Sequence, residues 1–172
     1  MDRLDPILQR WPWFAFAASA ALLAAAHAFE TFGGLPPCTL CLRQREAHWA
    51  VLAVSAAGIA LSFTPLASRV RLLVAILLVA AFAYSTYLGG FHTGVEWHWW
   101  PGPTTCASGG VGGGVSAEDM QAILNGARIQ GPSCDAALWH FLGLSMAAWN
   151  GLISLGLLVV SGLYAWRSRT PA

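Results

Sequence analysis

Four cysteines carry the chemistry that this sequence most clearly offers. One pair lies in the motif Cys-Thr-Leu-Cys at residues 38–41, and the other, Cys106 and Cys134, lies in the longest polar stretch. Paired thiols are suited to thiol–disulfide exchange, in which a thiolate attacks a disulfide sulfur. The same residue types also fit two structural disulfides or a zinc site with four thiolate ligands. The choice among these interpretations depends on where the helices and loops of the chain place the two cysteine pairs.

The Cys38–Cys41 motif excludes covalent haem attachment and weakens the case for a structural disulfide. Covalent haem attachment needs a histidine immediately after the second cysteine, and Leu42 stands there. A disulfide across two intervening residues closes a very small loop, so it stabilises a fold little and is often reducible. Redox chemistry is therefore favoured over a structural role, and structural disulfides remain the main alternative.

Composition indicates a membrane protein. Of 172 residues, 56% are hydrophobic and only 10% are charged, with a mean hydropathy of +0.57. Soluble domains usually have about a quarter of their residues charged. The net charge of +1 also leaves no basic surface for nucleic acid, so we expect no nucleic-acid partner.

Four apolar segments are long enough to cross a bilayer as helices. A hydrocarbon core of about 30 Å needs about 20 helical residues, and helices pair all backbone polar groups internally. We therefore predict an all-α membrane protein: residues 1–172 form a single integral membrane domain, a bundle of four transmembrane helices. The spans are 13–32, 47–63, 70–88 and 146–164, with 47–63 at the short end of the range, and the outer loops are 33–46 and 89–145.

The arginines predict the orientation. Short connections rich in Lys and Arg stay in the cytoplasm. Six arginines flank the spans on one face, and three lie in the longer loops of the other face; the six are Arg3, Arg10, Arg69, Arg71, Arg167 and Arg169. Both termini are therefore expected in the cytoplasm, and every cysteine is expected on the outer side. In a bacterial inner membrane that side is the periplasm, where disulfides persist. The residues Ala26-His27-Ala28 resemble a signal-peptidase site, but the apolar run is longer than a typical signal peptide's.

The outer loops carry the features that would place and move the thiols. Glycines at 33–34 and prolines at 36–37 should end the first helix, leaving Cys38 just outside the membrane and Cys41 near the start of the second span. A thiol at a helix N-terminus has a lowered pKa. In the second loop, the glycine-rich run 109–114 indicates a flexible linker, and a short amphipathic helix is predicted from Ser116.

Longer motifs around these cysteines resemble those of the DsbB family. They are Pro-Cys-Thr-Leu-Cys-Leu-Arg-Gln-Arg at 37–45, His-Thr-Gly-Val-Glu at 92–96, Trp-Pro-Gly-Pro at 100–103, Cys-Asp at 134–135 and Phe-Leu-Gly-Leu-Ser-Met at 141–146. Members of that family reoxidise the periplasmic thiol oxidase DsbA, a thioredoxin-fold protein, and pass the electrons to membrane quinone. The resemblance covers nearly the whole chain and implies the same activity, cofactor and partner here.

The resemblance also implies a role for each cysteine. Cys106 would be attacked by the thiolate of a reduced DsbA-like partner, and Cys134 would exchange onward with Cys38. Cys41 would lie against the quinone ring and donate electrons to it through a thiolate–quinone charge-transfer contact. The order of electron flow therefore follows from the family likeness, whereas spacing alone supplies only the pairs.

Two further residues match quinone-contacting positions of the family. Arg45 lies four residues after Cys41, so both would share a helix face, and its guanidinium would stabilise negative charge on sulfur or on a quinone oxygen. His92 would donate a hydrogen bond to a quinone carbonyl. His27, Glu30 and His48 are ionisable groups inside or near predicted spans, and the sequence does not decide whether they contribute.

Two other functions stay open. A vitamin K epoxide reductase-like protein would also combine four spans, two cysteine pairs and quinone, although its quinone-proximal pair lies at a late span. A membrane scaffold stapled by disulfides would need no quinone. The choice between ubiquinone and menaquinone, the resting disulfide pairing, the partner's specificity and the oligomeric state are not determined by the sequence.

Overall fold

The structure is a computed structural model that describes residues 8, 10–103, 106, 121, 124–125 and 133–169. Its described part consists of long helices and one small hairpin. The helices are α1 (Trp11–Thr31), α2 (Thr39–Ser62), α3 (Ala67–Glu96) and α4 (Met146–Ser168), and the strands are β1 (His140–Phe141) and β2 (Leu144–Ser145).

Helix α1 ends where the predicted glycine pair lies. The amides of Phe32 and Gly33 both bond the carbonyl of Ala28, which closes the last turn. Gly34 follows with a φ of +62°, a conformation that favours glycine. The chain then passes through the two prolines and reaches Cys38, so the expected break between the first two helices is confirmed.

Helices α2 and α3 both extend further toward the cysteines than the predicted spans do. Helix α2 begins at Thr39 rather than at residue 47, because the Cys38 sulfur caps it by accepting the amide of Cys41 at 3.3 Å. Helix α3 continues to Glu96 rather than stopping at residue 88. Because of these extra turns, Cys41 and His92 lie on helices rather than in loops.

The four helices pack as a ring around one core. Helix α1 contacts α2 and α4, and α3 contacts α2 and α4. Phe82, Leu78 and Val51 are completely buried in this core. Large apolar side chains such as Trp13 and Leu73 point outward and are more than half exposed, at 53% and 57%. An apolar exterior of this kind marks a surface that contacts lipid.

Helices α3 and α4 approach each other closely at two glycines. A Cβ atom built on Gly89 would lie 2.6 Å from the Cα of Gly151. Small residues at a helix contact allow backbones to approach in this way in membranes. This contact holds the part of α3 that carries His92 against the part of α4 that carries Asn150.

Three of the helices, α1, α3 and α4, are long and apolar enough to cross a membrane. Helix α2 is not among them, because its first three turns include the charged residues Arg43, Arg45 and Glu46. The prediction of four helices is confirmed. That α2 also spans the bilayer is part of the proposal made below.

The sequence did not predict the hairpin that precedes α4. β1 and β2 pair antiparallel, with His140 opposite Ser145. Leu142 and Gly143 form the two-residue turn with φ values of +52° and +80°, as in a type I′ turn. The described part of the chain is thus mostly helical, with this small hairpin as an addition. The glycine-rich run 109–114 lies outside the described residues, as does nearly all of the helix predicted from Ser116.

Candidate functional site

Both cysteine pairs lie in one buried cluster. Cys106 and Cys134 form a disulfide with a Cα–Cα distance of 5.4 Å, whereas Cys38 and Cys41 are free thiols whose sulfur atoms are 2.8 Å apart. Cys38 and the loop disulfide pack together with Leu40. The packing brings a dithiol and a disulfide next to each other, which is the arrangement that thiol–disulfide exchange requires.

The two free thiols have different acidities. Both lie before residue 47, outside the predicted second span. The pKa of Cys41 is lowered, first by the hydrogen bond from the Cys38 thiol, then by the backbone at the start of α2 and by the charge of Arg45. The pKa of Cys38 is raised by its hydrogen bond to Cys41, by burial and by the negative charge on Cys41. Cys41 is therefore the more acidic thiol of the pair, and Cys38 is the less acidic one.

His92 lies between the two cysteine pairs. Its Nε2 atom is 3.6 Å from the sulfur of Cys38 and 3.8 Å from a carboxylate oxygen of Glu96. The ring also interacts with the main chain of Cys134. Glu96, in turn, accepts a hydrogen bond from the hydroxyl of Ser145, the residue that caps α4. The helix extension that carries His92 thus places the ring at the junction of dithiol and disulfide.

Arg45 is held beside the dithiol by α1. Its guanidinium pairs with the carboxylate of Glu30 and donates to the carbonyl of Ala26 at 3.2 Å. His27 lies 3.8 Å from the same carboxylate. The predicted proximity of Arg45 to Cys41 agrees with the arginine's contribution to the Cys41 pKa, while Glu30 and His27 form the polar support behind it. A guanidinium has five N–H donors, so donors remain for a further ligand.

A cavity of about 340 Å³ opens beside this site. Its volume is within the usual range for small-molecule sites, and its walls are mostly apolar. The apolar walls come from helices α1 and α4, the loop between α1 and α2, and the segment that follows Cys134, and they include Leu22, Leu23, Phe29, Pro36, Trp139, Phe141, Met146 and Ile153. Cys41, Arg45, His48 and His92 also line it, so the more acidic thiol faces an apolar space.

The arrangement is not that of a zinc site. Two of the four thiolates that such a site would need are joined in the loop disulfide. The ligand atoms of Cys38, Cys41 and His92 do lie within 4.8 Å of one another. However, the two free sulfurs are 2.8 Å apart, whereas sulfurs bound at about 2.3 Å to a tetrahedral zinc ion are separated by about 3.7 Å.

Sequence reasoning missed three polar residues of the site. Gln44 bonds the ring of His92, Asn150 bonds Gln44, and Glu96 accepts a hydrogen bond from Ser145. A search for polar side chains inside otherwise apolar helices would have found Asn150, because such residues are costly in a membrane and often functional. Gln44 needed the tertiary structure, since it lies among the charged residues at the start of α2.

Comparison with known proteins identifies the family. The family described as disulfide bond formation protein DsbB matches residues 9–164. A disulfide bond formation protein B from Methylococcus capsulatus is 33% identical over 89% of this chain and 91% of the relative. One from Acinetobacter baumannii is 29% identical, over 83% of this chain and 82% of the relative. A disulfide bond formation protein B 2 from Pseudomonas entomophila is 31% identical over 92% of both chains. A membrane protein with paired, redox-active cysteines is what the fold and the site describe, and the chain belongs to the DsbB family.

Proposed function

We propose that this protein reoxidises a periplasmic, DsbA-like thiol oxidase of the thioredoxin fold and passes the electrons to a membrane quinone. Membership of the DsbB family supports a thiol oxidoreductase that serves disulfide bond formation. The observation that supports a membrane quinone as the electron acceptor is the apolar cavity into which Cys41 and Arg45 both face. A soluble electron acceptor would not need such a cavity among helices that face lipid.

The residues of the cavity fit a quinone. Apolar walls suit the ring and its isoprenoid tail, and the guanidinium of Arg45 offers N–H donors to a carbonyl oxygen. When bound there, a quinone supplies a two-electron acceptor to the dithiol. The chain's own contribution is to orient Arg45 through Glu30 and to lower the pKa of Cys41, which favours its thiolate form.

The loop disulfide provides the route from the partner. In the proposed cycle a thiolate of the reduced partner attacks Cys106, and the Cys106–Cys134 bond breaks with Cys134 leaving as a thiolate. Cys134 then attacks Cys38 of an oxidised Cys38–Cys41 pair, and Cys41 leaves as the thiolate. The partner's second thiolate then displaces Cys106 from the mixed disulfide, and the freed Cys106 thiolate attacks Cys134 and releases Cys38 as a thiolate. Each exchange forms one S–S bond and breaks one, so the partner leaves oxidised and Cys38 and Cys41 hold the two electrons. The packing of Cys38 against the loop disulfide supports this order.

The proposed location is a bacterial inner membrane. Helices α1, α3 and α4 would span it together with α2, both termini would be cytoplasmic, and the four cysteines would be periplasmic. The bias of arginines toward one face supports this orientation. Thiol labelling of intact cells with a membrane-impermeant reagent, after reduction, should modify the cysteines; labelling only after cell lysis would reverse the orientation.

The central test is quinone reduction by the purified protein and a reduced DsbA-like partner. We expect turnover in the wild-type protein and none in Cys41→Ser, because this change removes the thiolate that faces the cavity. Equal turnover in the two proteins would refute the electron route. A scaffold stapled by inert disulfides would show no turnover in either protein.

A trapping experiment tests the partner and the reactive loop cysteine together. In Cys134→Ser, the Cys106 thiol lacks its disulfide partner, so it should attack an oxidised DsbA-like protein and form a stable mixed disulfide. Cys106→Ser is the matched control, and we expect no equivalent adduct from it. A mixed disulfide that forms through Cys134 instead would reverse the proposed roles of the two loop cysteines.

A further inference from the structure

A chain of hydrogen bonds runs from the cysteines into the helices. His92 Nδ1 lies 2.8 Å from Gln44 Nε2, and the Gln44 carbonyl oxygen accepts a bond of 2.8 Å from Asn150 Nδ2. Asn150 Oδ1 lies 2.8 Å from His48 Nε2, and His48 Nδ1 lies 3.1 Å from the hydroxyl of Ser19. The chain therefore joins residues of all four helices.

The amide groups give this chain a direction. An amide nitrogen only donates and an amide oxygen only accepts. Because the Asn150 nitrogen donates to the Gln44 oxygen, the Gln44 nitrogen is left to donate to His92. His92 Nδ1 must then be the unprotonated nitrogen of the ring, and in the neutral ring the proton is on Nε2.

The surroundings of His92 Nε2 agree with that assignment. Nε2 faces the sulfur of Cys38 and the carboxylate of Glu96. The ring also interacts with the main chain of Cys134. A thiol sulfur, a carboxylate and a carbonyl oxygen can each accept a hydrogen bond, so a donor is the group that fits among them. Both nitrogens of His92 therefore independently favour the same tautomer.

The deeper half of the chain has the same direction. Asn150 Oδ1 can only accept, so His48 Nε2 donates to it and His48 Nδ1 accepts from Ser19. A side branch agrees, since Ser85 Oγ lies 3.3 Å from His48 Nε2 and 2.9 Å from Ser154 Oγ. The Ser85 oxygen thus accepts from His48, and its hydroxyl can donate a hydrogen bond to Ser154.

We propose that Gln44 and Asn150 are positioning residues that hold His92 with its proton on Nε2, so that His92 donates a hydrogen bond to Cys38 and does not act as its base. This inference rests on the thiol oxidation proposed above. Histidine beside cysteine often accepts the thiol proton. Here Nδ1 is occupied by Gln44 and Nε2 already holds a proton, so neither nitrogen of the neutral ring can accept one.

The consequence for the chemistry lies in how the dithiol closes. To form the disulfide with Cys41, Cys38 must lose its proton, which passes to water, and its sulfur must bond the sulfur of Cys41. The two electrons released go to the acceptor of the proposed function. The Nε2–H group stabilises the Cys38 thiolate while that bond forms, and its own proton stays on the ring.

The direct test is the tautomer of His92. Nitrogen-15 NMR of the reduced, quinone-free protein, with the His92 signal identified from its absence in His92→Gln, should show protonated Nε2 and unprotonated Nδ1 at neutral pH. In Asn150→Leu the Gln44 amide is free to turn, and we expect the proton to be shared between the two ring nitrogens. Ser154→Ala is the control, since it removes a buried hydrogen bond on the same helix but leaves the chain to His92 intact.

Each NMR outcome decides the proposal. A wild-type ring with its proton on Nδ1 overturns it, and this measurement uses His92→Gln only to identify the signal. An Asn150→Leu protein that folds but keeps the wild-type tautomer also overturns it, because Asn150 would then not control Gln44. Neither measurement needs quinone or partner, so failure of the proposed electron route would leave these results unaffected.

A second test separates a donor from a base. In His92→Gln the side-chain amide can still donate near Cys38 but cannot take its proton, whereas His92→Phe can do neither. We expect His92→Gln to close the dithiol at least about tenfold faster than His92→Phe, the scale of a hydrogen bond to a charged group. Equal losses of rate in the two variants would show that the ring acts as a base.

Discussion

The contact between α3 and α4 at Gly89 predicts a graded response to added methyl groups. Alanine at residue 89 would place its Cβ atom 2.6 Å from the Cα of Gly151 and 2.7 Å from the nitrogen of that residue. At residue 151 the nearest atom would be 3.3 Å away, at the carbonyl carbon of Gly89. At residue 90 nothing lies within 4 Å. Three glycines of the same region thus differ only in the space beside them.

These distances determine the expected magnitudes. Carbon atoms pack best at about 3.5–4.0 Å, so Gly89→Ala must separate the two backbones by about 1 Å. Overpacking of this kind costs about 1–3 kcal/mol, and no side chain can rotate to relieve it. Alanine also favours a helix by up to about 1 kcal/mol relative to glycine at every position. We therefore expect the order of stability Gly90→Ala, then Gly151→Ala, then Gly89→Ala, with about 1–3 kcal/mol between the first and the last.

Equilibrium unfolding in detergent micelles, followed by circular dichroism, measures this series. Gly89→Ala should also lose redox activity, because a shift of about 1 Å stretches the 2.8 Å contacts of Asn150 with Gln44 and of Gln44 with His92. A Gly89→Ala protein as stable and as active as Gly90→Ala would refute the close contact on which this reasoning depends.

The charge of Arg45 and the hairpin turn at Leu142 provide two further predictions. Because Arg45 helps to lower the pKa of Cys41, Arg45→Met should raise that pKa, so the thiolate fraction measured by ultraviolet absorbance should fall at a higher pH than in the wild type. Arg43→Met is the control, since Arg43 pairs with Glu46 on an exposed surface, and an equal shift in both variants would contradict a specific role for Arg45. Leu142→Gly should raise the thermal stability of the hairpin, because Leu142 has a φ of +52° and this conformation costs most residues about 1–2 kcal/mol. Leu142→Val should lower it, and the opposite order would contradict the positive φ.

The sequence was a good guide to features that depend on pattern along the chain. The apolar segments predicted four helices, and the Gly-Gly and Pro-Pro pairs predicted the break before Cys38. Spacing by four residues predicted that Arg45 would lie near Cys41. These features follow from helical periodicity and from backbone restrictions that are local in sequence.

The features that the sequence did not predict depend on contacts between distant segments. The extension of α2 and α3 beyond the apolar spans adds polar turns that only the packed structure stabilises. Asn150 lies over 100 residues from Gln44, so their hydrogen bond depends on how α2 and α4 are rotated toward each other. The pairing of Glu30 with Arg45 depends in the same way on the packing of α1 against α2. Hydropathy does not specify helix rotation, and these partners were therefore found only in the structure.

The burial of the loop disulfide has a kinetic consequence. An attacking thiolate needs access to one of the two sulfurs, and in the docked arrangement Cys134 is 1% exposed and Cys106 is 9% exposed. A soluble thiol can reduce this disulfide only in molecules where one of the two sulfurs is exposed, so the rate of reduction is proportional to the fraction of such molecules. A small thiol cannot change that fraction, whereas a protein that binds the exposed form increases it. Discrimination between a dedicated reductant and the general thiol pool therefore comes from binding energy, and the sulfur chemistry itself can be the same for both.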